Sequence, residues 1–336
     1  MTNLTTYAPI LKWKQGEREA LKNLKSSNEG ILIPVIQIID EVVPSKFFEE
    51  LKKCFNGSVY LCTYHAGDDS RQQLKGLIEY ANKNSINAWP YLLSDEPDEI
   101  LSELISISSR VGISTPIPGN FDGLSVNQVL DIFSKHTQNC KIDLFLDADE
   151  VLDRRIANMV FSEIMQVFNN NLAQQFNSII ICVTSLPKRI TLESGANDEF
   201  MRWDYRIFEE VMKRISRTAL GSKLAYSDYG VTAFTDSEID FKLLQHGVLP
   251  KVKYTIADKY LVFKGKKDRV SNTYSRSYND IAREIVNSQY FYGKDFSFGD
   301  SMIEQKATSP KPGNAANWVT YCTSHHIAVV MEQLSK

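Results

Sequence analysis

The stretch Ile142-Asp-Leu-Phe-Leu-Asp-Ala-Asp-Glu150 contains the pattern that decides the fold. A short apolar run ends in a group of acidic residues, and a helical pattern, Arg154–Phe168, follows it. Such runs are typical of parallel strands covered on both faces, and the spacing of apolar residues in the next segment is typical of a helix that packs on them. The unit therefore predicts a strand followed by a covering helix.

Eight such strands are predicted along the chain. They are Tyr7–Leu11, Ile31–Ile38, Val59–Thr63, Ala88–Leu93, Val111–Ile117, Ile142–Leu146, Ser178–Thr184 and Leu224–Tyr229. Because helical patterns follow these runs, we expect an α/β fold with a (β/α)8 TIM-like barrel. The functional residues of such barrels gather at the C-terminal ends of the strands, here called the barrel mouth. The eighth unit is the least regular, which leaves a distorted barrel open.

The alternation of strands and helices fails after residue 230. Beyond it we predict a hairpin of Lys251–Tyr254 and Lys259–Phe263, a helix over Arg276–Tyr292, and a final helix His325–Leu334 capped by Ser324. We therefore expect residues 1–230 to form the barrel. Residues 231–336 are expected to form a C-terminal α+β elaboration that packs on the barrel mouth within the same domain.

Composition excludes several classes of protein. The net charge of −3 over 336 residues does not indicate a surface for duplex nucleic acid, although a local basic groove stays open. No apolar run approaches the roughly 20 residues that span a membrane, and the first residues do not have the pattern of a signal peptide. The five cysteines are scattered, which favours a cytoplasmic protein with reduced thiols and argues against a cysteine-rich metal site.

Polar residues follow nearly every predicted strand, and we expect them at the barrel mouth. They are Lys12, Lys14, Asp40, Glu41, Tyr64, His65, Ser94, Asp95, Asp147, Asp149, Glu150, Ser185, Lys188, Asp228 and Tyr229. Lys12 and Lys14 alternate about Trp13, so their side chains are expected to point the same way and to hold a phosphate or carboxylate. A solvated surface pair is the competing interpretation.

The acidic residues give candidates for proton transfer or for binding a divalent metal. Asp228 is expected to end the eighth strand, and Asp147 to end the sixth, so both are candidate catalytic acids or bases. Asp149 and Glu150 are further candidates of this kind, and all three acids of 147–150 also have a simpler explanation, because carboxylates at a helix start favour the positive end of the helix dipole. The sequence leaves the metal and any cofactor unidentified.

Further candidates lie near the predicted final helix and in the eighth unit. We expect His325 to act as an acid or base at the helix start, and His326 and Asn314 to contact an anionic ligand. Packed or surface histidines are the competing interpretation. Lys188 is a further candidate anion ligand, and Arg202 is expected to bind a ligand or to pair with an acid across the mouth.

Several segments together resemble one known group. They are Tyr7–Leu21, Arg202–Tyr205, Ser227–Gly230, Lys253–Thr255, Phe296–Asp300, Gly313-Asn314 with Trp318, and Ser324–Ile327. In these segments the chain resembles the beta family proteins, an uncharacterised bacterial and phage group, over essentially its full length. The resemblance implies an association with phages or antiviral defence. It implies no catalytic mechanism.

Two functions follow as hypotheses. In the first, the barrel mouth binds or processes a small phosphorylated or nucleotide-like ligand. In the second, the protein is a non-catalytic recognition module that acts through a protein partner. The second rests on the dense aromatics Tyr274, Tyr278, Tyr290, Phe291, Tyr292, Phe296 and Phe298, which are common types of interface anchor. Packing of these rings inside the fold is the competing interpretation, and the sequence leaves open whether the protein is an enzyme.

Overall fold

A nearly closed parallel barrel forms the main body of the protein. The computed structural model describes residues 5–24, 31–63, 69–117, 126–232, 249–268, 270–271 and 273–336. Within these ranges eight parallel strands form one sheet in chain order: β1 (Ile10–Lys12), β2 (Val35–Gln37), β3 (Val59–Cys62), β4 (Ala88–Leu93), β5 (Arg110–Pro116), β6 (Lys141–Glu150), β7 (Ser178–Thr184) and β9 (Leu224–Ser227). The predicted barrel-like α/β fold is confirmed.

Backbone hydrogen bonds join the first and last strands of this sheet. Tyr226 N donates to Thr6 O at 3.0 Å, and Ala8 N donates to Tyr226 O at 2.8 Å. Two residues further along each strand, Ile10 N donates to Asp228 O at 2.8 Å. The segment before β1 thus takes part in the pairing, which explains why the apolar run begins at Tyr7 although regular strand geometry begins at Ile10.

Helices follow the strands and cover the outside of the barrel. They are α1 (Gln15–Lys22), α2 (Pro44–Cys54), α3 (Ser70–Lys83), α4 (Asp98–Ser106), α5 (Val126–Ser134), α6 (Arg154–Asn169) and α7 (Trp203–Ile215). Their apolar faces pack with the outward-facing strand residues in one large buried cluster. This burial is the main source of stability expected for such a fold.

The inside of the barrel is filled by side chains. Tyr60, Tyr91 and Phe145 pack edge to face, with the centroids of Tyr91 and Phe145 5.0 Å apart. Gly112 of β5 makes room for them, because a Cβ atom there would lie 2.9 Å from Phe145. Below them, the fully buried carboxylate of Asp143 accepts hydrogen bonds from Arg110 and from Tyr60. These rings and this ion pair fill the end of the barrel opposite the mouth.

A second, antiparallel sheet carries the C-terminal helices. Strands β10 (Lys251–Thr255) and β11 (Lys259–Lys264) form the predicted hairpin, which lies outside the barrel sheet. Strand β8 (Asn197–Met201), which precedes α7, completes this sheet by pairing with β11 and was not predicted. A short ladder of β12 (Lys266–Lys267) and β13 (Tyr274–Arg276) follows.

The three remaining helices pack with this sheet in a second core. They are α8 (Tyr278–Val286), α9 (Phe298–Thr308) and α10 (Ala315–Leu334). The predicted start of the last helix at His325 is wrong, because the helix begins ten residues earlier and Asn314 caps it. Ser324 is buried in mid-helix, where its hydroxyl accepts a hydrogen bond from Gly299 N. None of the helices in the described part of the chain is both long and apolar enough to cross a membrane.

We predict that Gly299→Ala destabilises the protein by about 3 kcal/mol, the upper range for overpacking a core. A Cβ atom at Gly299 would lie 2.0 Å from the backbone oxygen of Tyr321, so α9 would have to move away from α10. The midpoint of urea unfolding measures the effect. Gly76→Ala is the matched control: no atom lies within 4 Å of its Cβ position in α3. It should raise stability by up to about 1 kcal/mol, and equal effects of the two changes would contradict the packing described.

Candidate functional site

Basic side chains gather at the barrel mouth around the end of β1. Lys12 ends this strand, and Lys14 occupies the position before α1. Lys253, from the middle of β10, reaches the same region and donates a hydrogen bond to Val231 O, just past the end of β9. The charges of Lys12 and Lys253 are close enough to repel each other. The sequence predicted Lys12 and Lys14 at this place but not Lys253.

The environment of Lys253 makes its charge costly. Burial lowers the pKa of Lys253 to about 8, and repulsion from Lys251 and Lys12 adds to the effect, while attraction to Glu17 opposes it. A lysine with such a pKa exchanges its proton near neutral pH and is strongly stabilised by an added anion. Lys253 is therefore the side chain of this cluster whose charge state is most sensitive to a bound ligand.

Glu17 lies beneath these lysines in the first turn of α1. It is 3% exposed, and burial raises its pKa, although its own backbone N–H, the Thr232 hydroxyl and the charges of Lys14 and Lys12 act in the opposite direction. One carboxylate thus faces several ammonium groups. Ammonium groups gathered in this way can contact a phosphate or carboxylate.

Asp147 contributes an acidic group from the end of β6. Its carboxylate accepts hydrogen bonds from the Tyr229 hydroxyl and, at 2.9 Å, from Asp149 N. Burial raises the pKa of Asp147 to about 6, and these two hydrogen bonds limit the rise. A carboxyl group with this pKa can both donate and accept a proton near neutral pH, as general acid–base catalysis requires.

The chain is distorted immediately after Asp147. The pairing of β6 with β7 shifts register between Asp147 and Glu150, and Asp149 has a φ of 51°, a left-handed conformation that is uncommon for residues other than glycine. Asp149 Oδ2 accepts a hydrogen bond from Lys188 Nζ at 2.5 Å. Its buried Oδ1 has no hydrogen-bond partner within the described ranges. Strained backbone with an unpaired polar atom is a feature that clusters at functional sites.

Lys188 is thus held by the acidic turn. Its backbone N–H donates to Glu150 while its ammonium group pairs with Asp149.

Of the other mouth candidates, Tyr64 and His65 lie outside the described residues. Within the part of the chain that is described, no group of three or more His, Cys, Asp or Glu side chains is arranged to hold a metal ion.

Asp228 lies at the end of β9, as expected, but its side chain is turned into the protein and is 1% exposed. It accepts hydrogen bonds from the Tyr7 hydroxyl at 2.8 Å, Gly230 N at 2.9 Å and His326 Nε2 at 2.9 Å. Burial favours the neutral acid, yet His326 and the hydrogen bonds outweigh it, so that the pKa of Asp228 is lowered. Asp228 therefore joins β9, the first strand segment and α10.

The two histidines continue this buried chain of contacts. His326 Nδ1 lies 2.9 Å from the Thr255 hydroxyl, which can donate to it. His325 Nε2 lies 2.6 Å from Thr255 O, and its Nδ1 lies 2.8 Å from Asp300 Oδ2. The two ring nitrogens of His325 thus contact two different elements, the end of β10 through Thr255 and the first turn of α9 through Asp300. Neither histidine is at a helix N-terminus, and both are fully buried.

Arg202 and Asn314 also have structural partners. Arg202 is fully buried, lies 3.3 Å from Asp204 and donates to Gln333 of α10 at 2.6 Å. Asp204 accepts a hydrogen bond from the Tyr226 hydroxyl at 2.6 Å. The side-chain oxygen of Asn314 accepts from Asn317 N at 3.0 Å, which caps α10. The structure thus brings Lys12, Lys14 and Asp147 to the mouth, and places Asp228, His325, His326 and Arg202 in the packed interface beside it.

Comparison with known proteins gives a family for this arrangement. The family model described as Beta protein matches residues 7–332. The chain belongs to the Beta protein family. A search of curated proteins gives no match. The match covers both the barrel strands and the C-terminal helices, and Asp228 and its partner His326 both lie within the matched residues.

Two residues of the mouth were missed by sequence reasoning. Lys253 lies in a predicted hairpin strand in which Val252 and Tyr254 alternate with lysines, and this pattern is also that of an ordinary surface strand. Glu17 follows a helix start, where a carboxylate is expected for the helix dipole alone. Both residues lie in segments that resemble the family, Glu17 in Tyr7–Leu21 and Lys253 in Lys253–Thr255, and this was the available signal.

We predict that Asp147 makes the protein less stable as pH rises from about 4 to 6. Its pKa of about 6 in the folded state exceeds the value of roughly 3.9 in an unfolded chain. The folded state therefore binds the extra proton, and this contribution is full below pH 4 and lost as pH rises through 6. Between pH 4 and pH 7 the wild type should lose about 2 kcal/mol of unfolding free energy through this group, and Asp147→Asn should not show that loss. Urea unfolding at both pH values measures it.

Tyr229→Phe provides the control for this assignment. The change removes the hydroxyl that donates to the Asp147 carboxylate, so the loss of stability should move to higher pH. If the wild-type and Asp147→Asn stability curves run parallel from pH 4 to 7, the assigned pKa is contradicted.

We also predict that Asp228→Asn destabilises the fold by about 2–4 kcal/mol, in the range for breaking a buried charged pair. The amide nitrogen would face the His326 N–H or force the ring to another tautomer. Thermal unfolding measures the change, with Asp40→Asn as control because Asp40 is exposed. Equal stability of the Asp228→Asn and Asp40→Asn variants would show that the buried network is dispensable.

Proposed function

We propose that the protein is a cytoplasmic, phage- or defence-associated barrel protein that binds or processes a small phosphorylated or nucleotide-like ligand at the barrel mouth. The association with phages or defence rests on the family resemblance. The free cysteines in the described structure favour the cytoplasm. The ligand class rests on the charge and geometry of the mouth.

The cluster of Lys12, Lys14 and Lys253 above Glu17 is the observation that carries this proposal. The pKa of Lys253 is lowered mainly by burial, so the folded protein bears the cost of holding an ammonium group out of water. An anion placed beside Lys253 would offset that cost. Phosphate suits this position because lysine binds phosphate as a compact point charge with several donors.

Asp147 extends the proposal from binding to processing. Its carboxyl group has a pKa of about 6 and is held in place by Tyr229. It can therefore transfer a proton to or from a ligand whose phosphate lies on the lysines. The strained turn at Asp149, with its unpaired buried oxygen, lies next to it.

The alternative function, recognition of a protein partner, stays a prediction. Most of the aromatics that suggested it are partly buried against other rings: Tyr278 stacks on Trp318, and Tyr292 and Phe296 pack around His325. Tyr274 and Tyr290 are the exposed members of the set. Two separated rings do not make the contiguous apolar patch that a stable interface requires.

A thermal-shift screen with sugar phosphates, nucleotides and divalent metals tests the proposal. A ligand at about 100 times its Kd should stabilise the wild type by roughly 2.7 kcal/mol, which corresponds to a few degrees. We expect this shift to disappear in Lys12→Ala and in Lys253→Met. Because Lys253→Met removes a buried charge, it should not lower the Tm without ligand.

Lys52→Ala is the matched control, since Lys52 is an exposed lysine of α2 far along the chain from the mouth residues. It should keep the full shift. No shift with any phosphorylated compound, or a shift that survives in both mouth variants, would overturn the proposal.

A further inference from the structure

An open groove of about 810 Å³ lies on the outside of the barrel between α6 and α7. Ala257 and Asp258, in the turn between β10 and β11, line one part of it, together with Gln333 from α10. None of the mouth residues Lys12, Lys14, Asp147 and Lys253 lines this groove. Its volume is in the range of sites that bind small molecules.

Three arginines line this α6–α7 groove: Arg154 from the start of α6, and Arg206 and Arg214 from α7. In the described ranges none of them forms an ion pair with a carboxylate. Two of the acids that line the groove, Glu209 and Glu210, instead pair with Lys213 at 3.3 and 3.2 Å. Asp258 is the third acid of the lining, so the groove presents three guanidinium groups that make no ion pair among the described residues, beside three carboxylates that also line it.

Two of these guanidinium groups are held by aromatic rings. The Arg206 guanidinium carbon lies 5.3 Å from the centroid of Trp203, and that of Arg214 lies 5.6 Å from the centroid of Phe161. Trp203 and Phe161 are themselves packed against the main core and line the groove. A guanidinium that rests its face on a ring keeps its N–H donors, which lie in the plane of the group, available to a ligand.

The spacing of these groups indicates the size of the ligand. Arg206 and Arg214 are eight residues apart on α7, which corresponds to roughly 12 Å along a helix axis. The rings of Trp203 and Phe161 provide apolar surface between and beside them. Phosphate is bound by the edge of a guanidinium, and a planar base packs on aromatic rings and on arginine faces.

We propose that the α6–α7 groove is a second ligand site, which binds a small nucleoside phosphate. The phosphate contacts the arginine N–H donors, and the base packs against the aromatic surface of the groove. This site goes beyond the function proposed for the mouth, because it lies on the outer helices and shares none of the mouth lysines.

Isothermal titration of the full chain with AMP tests this proposal, with adenosine and inorganic phosphate as partial probes. We expect saturable binding of AMP and much weaker binding of either part. The double variant Arg206→Gln, Arg214→Gln should raise the Kd of this site at least tenfold. The double variant Arg206→Lys, Arg214→Lys should also bind more weakly, because lysine keeps the charge but loses the planar pair of donors.

Arg155→Gln combined with Arg217→Gln is the matched control. Both residues are exposed arginines close in sequence to the groove arginines, and neither lines the groove. The control and Lys12→Ala should leave groove binding unchanged. If AMP also binds at the mouth, the number of AMP molecules bound per chain should fall from two to one in the double variant Arg206→Gln, Arg214→Gln. Binding of the remaining AMP should disappear when Lys12→Ala is added to that variant.

Three results would overturn the proposal. They are the absence of saturable AMP binding, binding of inorganic phosphate as tight as that of AMP, and AMP binding that depends on Lys12 but not on Arg206 and Arg214. The last result would leave the mouth proposal intact, whereas loss of binding only in the groove variants would support the groove and not the mouth. An unchanged Tm of each variant shows that it is folded.

Discussion

A continuous set of buried polar contacts couples closure of the barrel to the position of the C-terminal helices. Asp228 accepts from Tyr7 on one side and from His326 on the other, Thr255 contacts both histidines, and His325 pairs with Asp300. These groups are nearly inaccessible to water, so each depends on its partners to remain satisfied. The pairing of the first strand with β9, the antiparallel sheet and α10 therefore stabilise one another.

This constraint also explains the mouth. Because α10 and β10 are fixed by the buried histidines, Lys253 is held over the end of β1 instead of extending into solvent. Burial lowers the pKa of Lys253 to about 8 and raises the pKa of Asp147 to about 6, so both groups can exchange a proton near neutral pH. Ionisable groups whose pKa values are shifted by burial, at a cost in folding free energy, are typical of ligand-binding and catalytic sites.

The sequence predicted those elements whose pattern of apolar and polar residues depends on local structure and burial alone. Apolar runs predicted the barrel strands within a few residues, and two short strand patterns separated by a short link predicted the hairpin of β10 and β11. Strand β8 was missed because Asn197-Asp-Glu199 is polar, and its pairing with β11 depends on tertiary structure. Ser324 suggested a helix start because Ser is common at N-caps. In the structure Ser324 is a buried residue in the middle of α10, and the helix continues through it. Likewise, Asp228 has the position of a mouth acid, but only its partners Tyr7 and His326, which are distant in sequence, reveal that it faces inward.

The position of α10 also sets the order of events during synthesis. A nascent chain that ends before residue 315 contains all eight barrel strands but not the His326 that pairs with Asp228. At the join between the first strand and β9, Asp228 then keeps its hydrogen bonds from Tyr7 and Gly230 but lacks the one from His326. Exposed strand edges are templates for association with other chains. Chains truncated before α10 should therefore hold this join less firmly and expose strand edges more often than the full chain does.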